Sequence, residues 1–235
     1  MMKRMKSFLH PLTGLLKEPE LRRLRLLETE CILAPRGCLF DFGTPIERIF
    51  LISLGSVRLE SRSAFRTNVV YSFKKRGDFL GVFSYLSDSA AHIARAVAIE
   101  NVKVLSYEKK AFFELVDEIP VLEREVRRQI SNSFLELQSD RSLSRESVSR
   151  RLASVLLALL GERGENSSRS IPLPLSRADL ARRIGAEPET VVRIMKEWER
   201  EGVLLSRDRI IEIRNPGVLN EISRGSGSMA NCRED

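Results

Sequence analysis

Glu189 and Arg193 carry opposite charges, and their spacing places them on one face of a helix. A guanidinium can donate two hydrogen bonds to guanine O6 and N7, and a carboxylate can accept one from cytosine N4. Each such contact would discriminate against a wrong base by about 1–3 kcal/mol. The alternative for the same pair is an exposed ion pair, which stabilises a helix by roughly 0.3–0.5 kcal/mol. The elements around the pair decide between base contact and ion pair.

Five further side chains in the same stretch are of the kinds that bind phosphate. Hydroxyl, ammonium and guanidinium donors contact phosphate oxygens and so set the position of a protein on DNA without reading its sequence. Residues 147–222 contain 13 Lys and Arg against 11 Asp and Glu, a net charge of only +2, so affinity would come from arrangement and not from bulk charge. The candidates for phosphate contact are Ser176, Thr190, Lys196, Arg207 and Arg209.

A helix-turn-helix followed by a hairpin would position these side chains. A short helix is predicted over 176–184, Gly185 suits the turn, and Pro188 suits the first turn of the second helix. Residues 203–206 and 210–213 are two short apolar runs separated by charged residues, which is typical of a hairpin or wing. Within this motif we favour base contact over the ion pair for the charged pair. The second helix would bury Val191, Ile194, Met195 and Trp198.

The chain between residues 31 and 106 consists of short apolar runs separated by turn residues. Runs of this length, with Gly, Pro and Asp between them, are typical of strands in a compact β sandwich or rolled barrel. A short amphipathic helix is predicted ahead of this region, over 18–30, because Leu residues recur among charges there. The expected fold class is therefore α+β.

A long helix is predicted from Pro120 to about residue 145, since residues 121–145 contain neither Gly nor Pro. Its apolar residues recur at spacings of three and four and form a narrow stripe, which is what two packed helices require. We therefore expect a parallel helix pair across a homodimer. The alternative is a helix that packs on its own barrel. The predicted dimer interface comprises Val126, Ile130, Phe134 and Leu137.

These patterns divide the chain into three parts and a tail. A β-roll effector-type domain is expected over 15–118, the dimerisation helix and a polar hinge over 119–146, and the winged DNA-binding domain over 147–222. Residues 223–235 contain few apolar side chains and are predicted to form a disordered tail.

The composition argues against several classes of function. The chain has 235 residues, 43% of them hydrophobic, and a net charge of +7, which suits an anionic partner without proving one. It contains two His, no Gly-rich phosphate loop and no Ser-His-Asp constellation, so we expect no enzymatic activity. No set of His and Cys has the spacing of a metal site, and we expect neither a metal nor a cofactor.

Cysteine usage and hydropathy point to a reducing cytoplasm. Three Cys, at positions 31, 38 and 232, cannot form a disulfide framework within one chain. A buried structural role is favoured for Cys31 and Cys38, with oxidation to a disulfide as the alternative. The most apolar run, 152–160, is far shorter than the ~20 residues that span a bilayer, and the N-terminus lacks a signal-peptide core. We therefore expect a cytoplasmic location and no membrane partner.

Residues 175–204 resemble the DNA-binding segment of the cyclic AMP receptor protein and fumarate-nitrate reductase regulator (CRP/FNR) family of bacterial transcription regulators. Residues 49–57 resemble a strand-turn-strand of that family's barrel, and residues 77–81 resemble its later glycine turn. Barrel, long helix and winged domain also follow one another in the family's order, so the resemblance covers roughly residues 15–220.

The resemblance implies a fold and a set of partners. The fold would be a cyclic-nucleotide-binding-like β-roll, a dimerisation helix and a C-terminal winged helix-turn-helix. The protein would be a homodimeric regulator of transcription that binds a palindromic promoter site, with double-stranded DNA, a second copy of itself and RNA polymerase as partners. Glu189 and Arg193 match positions that contact bases in the family. Pro188 and Val192 depart from the family's motif, so the half-site sequence is left open.

The residues that bind cyclic AMP in the family are missing from this sequence. The family provides a carboxylate for the ribose in Gly-Glu-Leu and a guanidinium for the phosphate in Arg-Ser-Ala. The corresponding residues here include Val82 after Gly81, and the stretch 90–92, which reads Ala-Ala-His. Glu136 and Leu137 replace the polar pair that contacts the base. The resemblance therefore implies regulation that is independent of cyclic AMP.

The residues that bind other effectors in this family are also missing from this sequence. Its oxygen-sensing branch uses four Cys for an iron–sulfur cluster, whereas Cys31 and Cys38 have neither the number nor the spacing. The only histidines are His10 and His92, and a lone His is more often a surface or hydrogen-bonded residue than a haem ligand. Two alternatives stay open, a small-molecule or redox sensor of the same fold and a protein-interaction module with a degenerate winged domain. Salt separates the second from a DNA binder, because DNA binding weakens steeply with added salt.

Overall fold

A computed structural model describes residues 9–62, 68–87, 90–143, 146–161, 170–171, 174–207 and 210–225. Contacts divide the chain into two compact units, one of Met1–Thr67 with Tyr71–Glu136 and the other of Asn68–Val70 with Leu137–Asp235. None of the helices in these ranges is long and apolar enough to cross a membrane.

The first unit is a rolled β structure whose strands are preceded and followed along the chain by helices. Its strands are β1 Thr29–Leu33, β2 Cys38–Phe40, β3 Arg48–Leu54, β4 Ser56–Arg62, β5 Asn68–Lys75 from Tyr71 onward, β6 Phe79–Leu80, β7 Arg95–Ala98 and β8 Val102–Glu108. Its helices are α1 Glu18–Leu27, α2 Lys109–Glu118 and the first part of α3 Pro120–Leu143, with a short 3-10 helix at Val82–Tyr85. The strands form two four-stranded sheets, in the orders β1-β8-β3-β6 and β2-β7-β4-β5. This arrangement confirms the predicted α+β fold with an N-terminal β-roll.

Two apolar clusters fill the first unit. One lies between the two sheets, where Ile52, Leu59 and Val104 are buried. The other lies between strands and helices, where Tyr107 and Phe112 are fully buried with their ring centroids 5.4 Å apart. Removing such side chains from water stabilises a fold by roughly 25 cal/mol per Å² of apolar surface. The roll is thus filled by its own side chains.

The early turns of α3 belong to the core of the first unit. Leu122 and Val126 are fully buried in the cluster between strands and helices. One turn further, the Gln129 Oε1 accepts a hydrogen bond from the Phe79 N–H at 2.7 Å, and its Nε2 donates to the Gly77 carbonyl at 2.9 Å. This side chain therefore satisfies two backbone groups of the β-roll, which would otherwise be costly to bury.

A polar cluster holds the next turn of α3 on β5. The Lys74 Nζ donates to the Ser133 Oγ at 3.0 Å and lies 3.6 Å from the Glu136 Oε2. That same carboxylate oxygen accepts a hydrogen bond from the Ser72 Oγ at 2.7 Å. Because Lys74 is buried, its charge requires the nearby carboxylate. Hydrogen bonds as well as apolar packing therefore fix α3 to the roll as far as Glu136.

The predicted dimer interface is wrong at Val126. Its side chain is fully buried in its own unit, so a second chain cannot reach it. Ile130 is partly buried against the same cluster, whereas Phe134 is 58% exposed and its neighbour Leu135 is 62% exposed. The side chain of Leu137 lies outside the described residues. The first part of the stripe thus packs on its own barrel, as the alternative supposed, and apolar surface is presented only beyond it.

The second unit combines helices with a small antiparallel sheet. Its helices are α4 Val148–Gly161, α5 Arg177–Ile184, α6 Pro188–Arg200 and α7 Pro216–Arg224, and its strands are β9 Ser170–Ile171, β10 Leu204–Arg207 and β11 Ile210–Ile213. The sheet has the order β10-β11-β9. In the hairpin of β10 and β11, Leu204 lies opposite Ile213 and Arg207 opposite Ile210. The predicted helix-turn-helix and wing are therefore confirmed.

Helix α7 was not predicted from the sequence. It begins at Pro216, buries Leu219 completely and contacts α4, from which the Arg150 Nε donates to the Ser223 carbonyl at 3.4 Å. The last carbonyls of a helix lack partners within it, so this bond satisfies one of them. The prediction of a tail from residue 223 is wrong for Ser223 and Arg224, which belong to α7. The predicted tail from 226 onward lies outside the described residues.

Candidate nucleic-acid interface

Caps at both ends define α5, the first helix of the helix-turn-helix. The Ser176 Oγ accepts a hydrogen bond from the Asp179 N–H at 3.1 Å, and the Asp179 carboxylate accepts one from the Ser176 N–H at 3.0 Å. At the other end Gly185 has φ 62° and ψ 50°, a left-handed conformation that costs Gly little. The chain turns at this glycine, and α6 begins three residues later at Pro188.

Ser176, a predicted phosphate contact, caps α5 in this structure. Its hydroxyl donates to the Asp179 Oδ2 at 2.6 Å, so a phosphate would have to compete with this carboxylate for the proton. The carboxylate beside it would also repel a phosphate. In this structure Ser176 is a helix cap, and its contact with phosphate stays a prediction.

Helix α6 has a buried and an exposed face. The buried face was predicted correctly, since Val191, Ile194, Met195 and Trp198 are all buried. The exposed face carries Glu189, Arg193 and Lys196, at successive spacings of four and three residues. Thr190 lies at the edge of this face and is partly buried. The side chains predicted to contact bases and phosphates on α6 thus point away from the core.

Glu189 and Arg193 do not pair with each other. Within the described ranges neither side chain has a hydrogen-bond or ion-pair partner. The alternative of an intrahelical ion pair is therefore not realised, and both groups keep their full hydrogen-bonding capacity. They lie one turn apart in the first half of α6, the part of a recognition helix that meets base edges in the major groove.

Arg200 extends the exposed face of α6 and was not predicted from the sequence. It is exposed, four residues after Lys196 and seven after Arg193. Helical spacing alone could have found it, because residues four and seven apart return to the same face. The face therefore presents one carboxylate followed by three cations along the helix.

Arg177 ties the three elements of the winged motif together. From α5, its Nη1 donates to the Ser206 Oγ on β10 at 3.0 Å, and its Nη2 donates to the Glu199 Oε1 on α6 at 3.4 Å. At the end of the same strand Arg207 is exposed, as a phosphate contact requires. Arg209, the other predicted wing contact, lies outside the described residues.

In the β-roll, the positions where the resemblance expects ligands for cyclic AMP hold apolar or neutral groups. Val82 is buried in the core. His92 is 7% exposed, and its ring stacks on Phe40 with centroids 3.7 Å apart. Burial lowers the pKa of His92 to about 4, so the imidazole is neutral at pH 7. The Nε of Arg95, a cation in the same region, lies 3.8 Å from the Asp41 Oδ2.

The two described cysteines are both free thiols. Cys31 is partly buried and Cys38 is exposed. The expected buried structural role is therefore wrong for Cys38, whose Sγ lies 3.2 Å from the Phe40 carbonyl oxygen. In the part of the chain that the structure describes, no group of three or more His, Cys, Asp or Glu is placed to hold a metal ion.

Two family models match separate parts of the chain. The cyclic nucleotide-binding domain matches residues 32–118, and the Crp-like helix-turn-helix domain matches residues 150–222. Together the two matches cover more than half of the 235 residues. The chain belongs to the CRP/FNR family. It is a transcription regulator of the CRP/FNR type with a DNA-binding helix-turn-helix, as the sequence predicted.

Relatives in the CRP/FNR family span most of the chain. An anaerobic regulatory protein of Pasteurella multocida is 26% identical over 216 residues, which cover 88% of this chain and 77% of the relative. A fumarate and nitrate reduction regulatory protein of Escherichia coli K12 is 24% identical over 223 residues, which cover 92% of this chain and 87% of the relative. The members of the CRP/FNR family are transcription regulators and not enzymes.

Solved structures share the CRP/FNR fold. FixK2 from Bradyrhizobium japonicum has a TM-score of 0.73 at 21% identity, covering 87% of this chain and 100% of that chain. A CooA mutant from Carboxydothermus hydrogenoformans has a TM-score of 0.72 at 18% identity, covering 94% of this chain and 98% of that chain. At such identities the likeness establishes the fold.

Proposed function

We propose that the protein is a homodimer that binds a two-fold symmetric promoter site without cyclic AMP. Glu189 and Arg193 contact base edges in the major groove, and Thr190, Lys196, Arg207 and Arg209 contact phosphates. The observation that carries the proposal is the exposed face of α6, on which Glu189 and Arg193 have no partner within the described residues. A carboxylate and a guanidinium left free side by side suit cytosine and guanine.

Exposed apolar surface on α3 supports the homodimer. Phe134 and Leu135 are 58% and 62% exposed, although both are large apolar residues next to each other on a helix. Covering them with the same surface of a second copy would remove this area from water and bring two winged domains to one DNA site. A regulator bound at a promoter also meets RNA polymerase there, so we propose the polymerase as a partner. Because bacterial promoters lie in the cytoplasm, we propose that location for the protein.

The β-roll supports independence from cyclic AMP. A buried phosphate needs a cation, and a buried ribose hydroxyl is best met by a carboxylate. Val82 supplies no carboxylate, Ala90 supplies no guanidinium, and the neutral His92 two residues later supplies no charge. Binding the nucleotide would leave its phosphate unpaired, which is very costly in a buried site.

Selection of DNA from a random pool tests the proposal directly. The purified protein, without added ligand, should enrich an inverted repeat whose half-sites are about one helical turn apart. With Lys196, Arg207 and Arg209 contributing from each subunit, about six phosphates would be neutralised, so log K should fall with log salt at a slope of roughly −5. Enrichment of no sequence, or binding that ignores salt, would contradict DNA recognition by this face.

Calorimetric titration tests the effector part of the proposal separately. Cyclic AMP and cyclic GMP should give no heat of binding, and neither should change the affinity for the selected DNA. Micromolar binding of either nucleotide, or a tenfold gain in DNA affinity on adding one, would contradict independence and point to Arg95 as the phosphate ligand.

A further inference from the structure

Arg151, in the first turn of α4, connects the residues just before α4 to the turn of the helix-turn-helix. Its Nη1 donates to the Glu146 carbonyl at 2.6 Å, and its Nη2 donates to the Gly185 carbonyl at 3.4 Å. Glu146 lies just before α4, and Gly185 is the left-handed residue between α5 and α6. A single guanidinium therefore bridges the segment that leads into α4 and the turn that leads into the recognition helix.

The bridge is buried only at its base, because Arg151 as a whole is partly buried and its contact with the Gly185 carbonyl is exposed. The Arg151 Nε is buried and has no hydrogen-bond partner among the described residues. The two residues that follow, Leu152 and Ala153, are fully buried. Burying a donor without a partner is unfavourable, so the position of this side chain is explained by the two carbonyls it reaches.

Of the basic side chains, only arginine can make this bridge. The guanidinium is planar and presents donors in a fixed fork, so it can hold two acceptors at a set separation. A lysine at 151 has one rotatable ammonium group and cannot hold both carbonyls in that geometry. The neighbouring Arg150 serves as a comparison, because it bonds the Glu146 carboxylate and the Ser223 carbonyl and does not contact the turn.

We propose that Arg151 is a positioning residue that fixes the direction of α6 relative to the start of α4, and that it thereby makes the dimer selective for one spacing of half-sites. This inference rests on the proposed binding of a two-fold symmetric DNA site. In such a dimer, the chain that leads into α4 comes from the dimerisation helix, and the two recognition helices must match half-sites about one helical turn apart. One added or removed base pair rotates the half-sites by roughly 34° and shifts them by about 3.4 Å. A rigid bridge resists that change, whereas a loose one accommodates it.

The test measures affinity for three versions of the selected palindrome, with the original spacing and with one base pair more or less between the half-sites. The wild type should lose at least about tenfold in affinity when the spacing changes. Arg151→Lys and Arg151→Gln should lose less than about threefold, while their affinity for the original spacing falls by no more than about fivefold. Arg150→Lys, the matched control, should keep the spacing profile of the wild type.

Three outcomes would overturn the inference. One is an unchanged spacing profile in both Arg151 variants. Another is an equal loss on all three sites and on unrelated DNA, because that indicates a smaller fraction of folded protein. The third is a pair of variants that melt below the assay temperature by circular dichroism, because the bridge would then be needed for folding and not for direction. If the wild type itself binds no palindrome, the proposed function fails, and that result is distinct from all three.

Discussion

Replacing Arg193 with Ala should remove discrimination at one base pair of each half-site without destabilising the fold. Arg193 is exposed and has no partner within the described ranges, so its removal breaks no contact in the protein. Substitutions at such positions usually change stability by no more than about 0.5 kcal/mol. Alanine also has a slightly higher helix propensity than arginine, so α6 should persist.

The size of the effect follows from the two-fold symmetry. A bidentate contact to guanine discriminates by about 1–3 kcal/mol. Two half-sites that respond independently double this to about 2–6 kcal/mol for the dimer. That corresponds to a loss of roughly 30-fold to 10⁴-fold in affinity. Non-specific binding, with a Kd of about 10⁻⁴–10⁻⁶ M, sets the lower limit of affinity that can be observed.

Fluorescence anisotropy on the selected palindrome, and on variants with every single-base change, provides the measurement. Arg193→Ala should bind three or four bases at one position of each half-site nearly equally, while the other positions keep their preferences. Lys196→Ala is the control on the same face, and it should weaken binding to all sequences by a similar factor. If Arg193→Ala keeps the base preferences of the wild type at every position, Arg193 does not read a base and the reasoning is refuted.

Three further results are expected. Phe134→Glu should sediment as a monomer because it would bury a charge in an apolar interface. Val126→Ala, the control, should stay dimeric and lose about 2 kcal/mol of unfolding free energy in urea. A dimeric Phe134→Glu would show that the interface does not include Phe134. Ser176→Ala should cost about 1 kcal/mol in urea unfolding and leave the DNA affinity of the folded protein unchanged. A similar loss of affinity on all sequences would instead make Ser176 a phosphate contact. Stability should fall as pH drops from 6.5 towards 4, because burial holds the pKa of His92 at about 4 in the folded protein while the unfolded chain takes up this proton near pH 6.5. The protonation of His92 can lower the free energy of unfolding by up to about 3 kcal/mol. Between pH 7 and 4.5, urea unfolding should show a smaller loss of stability for His92→Gln than for the wild type. Equal losses would exclude His92 as the cause.

The winged motif could be predicted from the sequence because its signals are local. Ser176 and Asp179 form a cap within four residues, Gly185 takes the one conformation that favours glycine, and Pro188 opens the next helix. Each of these signals is complete within one turn of chain. The exposed face of α6 followed from the same periodicity, which is why Arg193 was predicted correctly as an exposed residue.

The partner of an apolar stripe could not be predicted in the same way. Periodicity shows which side of α3 is apolar, but the β-roll and a second chain would select the same spacing. Val126 was therefore assigned to the dimer although it packs on the roll. Helix α7 and the bridge made by Arg151 depend on contacts between residues more than 30 positions apart, such as Arg150 with Ser223 and Arg151 with Gly185.

Gln129 determines how short a fragment of the first unit can be and still fold. A fragment ending at residue 118, after α2, would leave the Phe79 N–H and the Gly77 carbonyl without the amide that satisfies them. It would also expose the hollow that Leu122 and Val126 fill. The smallest autonomous β-roll therefore extends about three turns into α3, to residue 130 or beyond. Exchange of effector domains between related regulators, in evolution or in the laboratory, would have to carry this half of the helix with the roll.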